Sequence, residues 1–146
     1  MSEQGFAITR TIDADRHTVW RAWTDPAIAA RWWHPMGFTT DASTVRIDPR
    51  VGGEYGYVMT SPDGEHYPTG GRYLEVEEPR RLHCTWGEPG DDSAPEVTIE
   101  LTDAGVGRTA MTFRVDGVEP RSGASDSVHD GWQQAFDALD DELAAR

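Results

Sequence analysis

Four stretches of this chain repeat side chains at every second position: Tyr55, Tyr57, Met59; then Leu82, Cys84, Trp86; then Val97, Ile99, Leu101; then Thr109, Met111, Phe113, Val115. Period two belongs to a β-strand with one buried face. Turn chemistry separates the stretches. Residues 49–53 turn the chain before the first, Ser61-Pro62-Asp63-Gly64 follows it, Pro79 precedes the second, and residues 103–107 divide the last two. Consecutive hairpins make an antiparallel sheet, and its apolar face needs a cover. One segment is long enough to supply it. After a loop over residues 117–125, Val128, Trp132, Ala135, Phe136, Leu139 and Leu143 recur at spacings of four, three, one, three and four, the stripe of an amphipathic helix. Ser125 is placed to cap that helix, and Asp126 suits its positive start.

The beginning of the chain adds a strand and two short helices. Residues 6–12 alternate (Phe6, Ile8, Arg10, Ile12). Asp15 can cap a helix from Arg16 whose Val19, Trp20 and Trp23 share one side. Asp25-Pro26 starts a second, carrying Ile28, Trp32 and Trp33, and His34-Pro35-Met36-Gly37 ends it. Strands are expected over about residues 39–48, 54–60 and 67–77 before the two later hairpin strands and their partner. The order is a strand, two short helices, six strands and one long helix. That is an α+β, helix-grip architecture with an antiparallel curved sheet, read as one domain over residues 1–146.

Charge narrows the partners. The formal net charge is −13, which repels phosphate backbones and anionic lipid head groups, so neither nucleic acid nor membrane is expected. All 13 basic residues are arginine, and the chain has neither lysine nor asparagine, a pattern that follows from GC-rich codon usage. No apolar run approaches the roughly 18 residues of a membrane span. The first residues lack a signal pattern, which points to the cytoplasm. The single cysteine, Cys84, excludes an internal disulfide. The five histidines (His17, His34, His66, His83, His129) show no metal-ligand spacing, and no nucleotide-binding or Walker pattern occurs. No cofactor is expected.

The segments VWRAWTDPAIAARWWHPMGFT, DPRVGGEYGYVM, PDGEHYPTGGRYLEVEEPRRLHCTW and VHDGWQQAFDAL together resemble the activator-of-heat-shock-ATPase homologue family. That family belongs to the START-like, Bet v 1-like (SRPBCC) helix-grip superfamily. The resemblance spans about residues 6–143. It implies the fold and a cavity between sheet and terminal helix. The superfamily includes lipid and polyketide carriers, aromatic cyclases, hormone receptors and a co-chaperone domain, so the fold does not choose among functions.

The expected cavity wall follows from hairpin counting. Tyr55, Tyr57 and Met59 face the helix. An even-length turn through Pro62-Asp63-Gly64 then brings Arg72, Leu74 and Val76 to the same side and sends Tyr73 and Glu75 outward, unless a bulge reverses them. Leu82, Cys84, Trp86, Met111 and Phe113 follow inward, facing Trp132 and Phe136 of the helix. Trp32, Trp33 and Phe38 close one end. The alternative is an ordinary packed core. A dry void of roughly 300 Å³ would cost on the order of 7 kcal/mol, so the cavity is small, wet or filled. Arg72 inside would meet a ligand carboxylate or phenolate, and at the rim a surface acid. His129 reads as a proton carrier at the cavity mouth or as a surface histidine.

These readings favour a binding module for a small hydrophobic or partly aromatic molecule. A cyclase, dehydratase or hydrolase in the same cavity is the alternative, with His129, Glu75 and the tyrosines as acid–base candidates. A co-chaperone-like module ranks third, because the namesake acts through several domains. An exposed sheet edge could also pair two copies as a homodimer.

Overall fold

The computed structural model describes residues 5–34, 37–87, 95–116 and 124–144. The chain runs β1 (Gly5–Ile12), α1 (Arg16–Thr24), α2 (Pro26–Ala29), β2 (Thr39–Thr40), a 3₁₀ turn (Ala42–Thr44), β3 (Arg46–Ile47), β4 (Glu54–Thr60), β5 (His66–Glu77), β6 (Arg81–Thr85), β7 (Glu96–Gly105), β8 (Arg108–Asp116) and α3 (Ala124–Ala144). Every strand pairing is antiparallel. The order across the sheet is β1-β8-β7-β6-β5-β4-β2, with β3 also on β4. Helices α1 and α3 pack on its concave face, which gives the helix-grip architecture.

Local chemistry sets the helix starts. The Asp15 carboxylate accepts from the Thr18 amide at 2.8 Å, and Asp25 accepts from the Ala27 amide at 2.9 Å ahead of Pro26. Each satisfies an amide that the first helical turn leaves without a partner. The inner face of the sheet is a set of matched pairs: Ile8 with Phe113, Ile99 with Phe113, Leu82 with Ile99, and Cys84 with Val97. Val19, Trp23, Phe136, Leu139 and Leu143 bury against them. Arg10 ties the first strand to the last helix. Its guanidinium donates to Asp137 at 2.9 Å, Asp140 at 3.1 Å and Gln133 at 2.8 Å, and lies over the Phe136 ring.

Two expectations fail. The strand over residues 39–48 is broken in two, because Asp41 draws the chain into a 3₁₀ turn by accepting from the Ser43 amide and hydroxyl; among the described residues seven strands therefore follow the helices. The Ser125 cap expected for α3 falls on a side chain outside the described residues. The second failure moves Arg72. Thr60 pairs with His66, so the β4–β5 turn has five residues, Ser61 to Glu65, and Tyr57 lies opposite Thr69, Tyr55 opposite Gly71 and Glu54 opposite Arg72. An odd turn keeps odd-numbered residues on the inner face. Arg72 and Leu74 are exposed, with Arg72 3.4 Å from Glu54, while Tyr73 is 1 % exposed. A bulge between Tyr73 and Glu75 then returns Val76 to the inner side, opposite Leu82.

Candidate functional site

The concave face gathers aromatic rings from four regions of sequence. Trp23 of α1 sits at the centre, within 6.4 Å (ring centroids) of Trp32, Trp33, Phe113, Trp132 and Phe136. Trp132 of α3 lies 4.5 Å from Phe113 and 5.6 Å from Trp86. Trp33 lies 4.8 Å from Tyr57. Trp23 stacks on Phe113 and Trp132, and the other pairs meet edge-to-face or tilted, arrangements that ring quadrupoles allow.

They do not fill the space. A hollow of about 20 Å³ remains, bounded by Trp23 of α1 and Trp33 just after α2, by Tyr55, Tyr57, Tyr73, Leu82, Cys84, Trp86, Val97 and Ile99 from the sheet region, and by Trp132 of α3. One water needs roughly 10–15 Å³ of such volume, so the hollow takes a single water and no larger ligand without movement. A larger groove of about 800 Å³ lies along β3 and β4, beside Ser43, Arg46, Asp48 and Glu54. It is the more open of the two to solvent, so the aromatic hollow between sheet and helices is the candidate site.

Hydrogen bonding around the hollow is uneven. The Tyr55 hydroxyl donates to the Thr85 carbonyl at 2.6 Å and receives the Cys84 thiol at 3.9 Å. Trp86 Nε1 donates to the Tyr57 hydroxyl at 3.5 Å. Trp32, just behind the wall, donates Nε1 to the Ala22 carbonyl at 3.0 Å, occupying an acceptor that the end of α1 leaves open. Trp23 Nε1 and Trp33 Nε1 are buried and find no acceptor among the described residues. Burial pushes the Cys84 thiol and the Tyr57 phenol each up to about 12, and burial likewise raises the Tyr55 and Tyr73 phenols above their ordinary value. All four stay protonated at neutral pH, so none is a poised base or nucleophile.

Of the residues expected here, Trp33, Tyr55, Tyr57, Trp86 and Trp132 bound the hollow. Phe113 and Phe136 form the layer behind Trp132, and Met111, fully buried, lies opposite Leu101 and Arg10 away from it. Phe38 does not close the site, because its ring packs 5.9 Å from Tyr67. Met59, opposite Tyr67, stands outside the hollow with it. Arg72 points away, and Glu75 lies on the outer face, contacting Arg81 at 3.2 Å and His83 at 3.3 Å, so it is no acid–base candidate for the interior. The His129 side chain lies outside the described residues. Trp23 and Tyr73 join the wall without a sequence signal for it: the helix stripe of Trp23 reads as core, and the facing of Tyr73 depends on a turn of odd length. Among the described residues no group of His, Cys, Asp or Glu is arranged to hold a metal, and no helix is long and apolar enough to cross a membrane.

Comparison with known proteins agrees with this architecture. A solved protein of Nitrosomonas europaea is 27% identical, with a TM-score of 0.86 over 99% of this chain and 97% of its own. A Chromobacterium violaceum protein is 29% identical, with a TM-score of 0.82 over 94% and 95% of the two chains. A Plasmodium falciparum protein described as an HSP90 activator is 17% identical, with a TM-score of 0.75 over 97% and 96%, a likeness of fold alone. No curated protein matches the chain significantly. The family model for Activator of Hsp90 ATPase homolog 1-like protein matches residues 13–144, and the chain belongs to that family.

Proposed function

We propose that this protein binds a small apolar, partly aromatic molecule between the sheet and α3, with the aromatic hollow as its seat. One observation carries the reading: rings from α1, the α2 region, the sheet and α3 converge on an interior point and leave it unfilled. Interiors normally close such gaps, because a lining without partner atoms forfeits dispersion energy. The absence of a poised acid or base among the described wall residues favours binding over catalysis.

The size of the hollow sets the mode of binding. A cavity of roughly 150 Å³ holds benzene, far more than the 20 Å³ seen here. Trp86 and Trp132 must move outward to admit a ligand, and the observed affinity is reduced by the fraction of molecules in that opened state. Trp86 is the freer of the two: it is half-buried and lies past the end of β6.

The test is a titration with apolar aromatic compounds, read by tryptophan fluorescence and thermal unfolding. At ten times its dissociation constant a ligand adds about 1.4 kcal/mol, raising Tm by roughly 3–6 °C. No change in either signal with any compound up to its solubility limit overturns the reading. Stoichiometric capture of a chaperone by protein that ignores every compound would favour the co-chaperone role instead.

A further inference from the structure

The polar inventory of the hollow is one-sided. Trp23 and Trp33 both belong to its wall, and each carries a buried indole N–H with no acceptor among the described residues. The Tyr57 oxygen receives Trp86 Nε1, and among the described residues nothing accepts the Tyr57 proton. The Tyr55 hydroxyl is already used both ways, donating to Thr85 and accepting from Cys84. Donors therefore exceed acceptors. The described wall also contains no charged side chain, since the arginine expected there lies outside, facing Glu54.

We propose that the site selects uncharged ligands bearing a carbonyl-type acceptor, a ketone or quinone oxygen, which takes the Trp23 and Trp33 indole protons; the inference rests on the hollow being the ligand seat. A donor-bearing alcohol or amine finds no spare acceptor. A carboxylate would be buried without a countercharge, at a large desolvation cost. A hydrocarbon of the same shape leaves both indoles unpaired, and an unpaired buried donor is penalised more than a satisfied one is rewarded. In the free protein one water of the size the hollow admits can serve the same donors. The ligand oxygen replaces that water and keeps its hydrogen bonds, the condition under which displacement loses no affinity.

The experiment compares 1-tetralone, tetralin and 1,2,3,4-tetrahydro-1-naphthoate, with each affinity corrected for partition between water and octanol. The expected result is about a tenfold or greater preference for tetralone over tetralin, with the naphthoate no tighter than tetralin. Trp23→Phe and Trp33→Phe should each reduce that preference while tetralin still binds. The unmodified protein supplies a second readout: the Nε1–H resonances of Trp23 and Trp33 in nitrogen-15-labelled protein move downfield with tetralone and not with tetralin. Equal corrected affinities with unmoved indole resonances overturn the selectivity and leave the binding function standing. Failure of all three compounds to bind overturns the selectivity, and the binding function falls with it only when every compound of the wider titration also leaves fluorescence and Tm unchanged.

Discussion

At the scale of single residues, the hollow is held together by groups that must remain neutral. Cys84 is 4 % exposed beneath Tyr55 and opposite Val97. Burial raises its thiol from an ordinary value of 9.0 to about 12, and burial raises the Tyr57 phenol from 10.0 to about 12. The sign of the resulting pH dependence follows directly. Between about pH 9 and pH 12 the unfolded chain releases these protons while the folded chain keeps them, so stability is complete below pH 9 and falls as the pH climbs. The limiting slope is about 1.4 kcal/mol per pH unit for each group. Urea midpoints at pH 8, 9.5 and 10.5 should fall in that order, and in Cys84→Ala the decline should begin nearer pH 10, where the tyrosines start. A wild-type midpoint flat across this range would mean the thiol and phenol are solvated in the folded state. The same residues mark how far the sequence could be read. Period-two alternation placed Cys84 and Tyr57 inside correctly. Nothing local could reveal that the Trp32 indole finds a carbonyl while the neighbouring Trp33 indole does not, because that depends on where α1 ends in space.

At the scale of elements, most of the fold was legible because helix caps and turn residues are local signals. Asp15, Asp25 and Pro26 marked two helix starts, and the alternating runs marked β4, β6, β7 and β8. Facing on β5 was not legible. It depends on one turn residue more or less and on a bulge after Tyr73, neither of which has a strong sequence signature. Glycine lets β5 approach its neighbour closely just before that bulge. A Cβ on Gly71 would sit 1.9 Å from the Thr85 carbonyl oxygen, whereas one on Gly56 would meet only the Thr69 carbonyl at 3.5 Å, an ordinary contact. The backbones of β5 and β6 are in contact at Gly71, and that approach brings Tyr73 alongside Cys84. Gly71→Ala should therefore cost about 3 kcal/mol or more, since the obstacle is backbone and cannot swing aside. Gly56→Ala should stay within about 1 kcal/mol. Chemical denaturation of both variants decides it, and equal costs would show that position 71 tolerates a side chain despite the close approach.

At the scale of the whole molecule, charge is the property that sequence alone fixes, but its consequence needs the structure. The chain carries 26 acidic and 13 basic residues, and most ion pairs among the described residues have at least one partner that is largely solvent-exposed, such as Arg50 with Asp48 and Arg108 with Asp13. Pairs of that kind contribute about 0–1 kcal/mol and are weakened by salt. The excess of carboxylates repels itself over longer distances, and salt weakens that repulsion too. The two effects oppose each other, and a net charge of −13 makes repulsion the larger. Raising sodium chloride from about 10 mM to 300 mM, which shortens the screening length from roughly 30 Å to under 10 Å, should raise the urea midpoint. The gain should be on the order of 1 kcal/mol. Arg10→Met takes the charge from −13 to −14 and removes the partner of Asp140, whose carboxyl is raised above the usual range chiefly by burial. That variant should start less stable and recover more with salt than the parent. A midpoint that falls with salt in both proteins would mean that the ion pairs, the Arg10 clasp foremost, outweigh the repulsion, and that the grip of the helix on the sheet is electrostatic before it is hydrophobic.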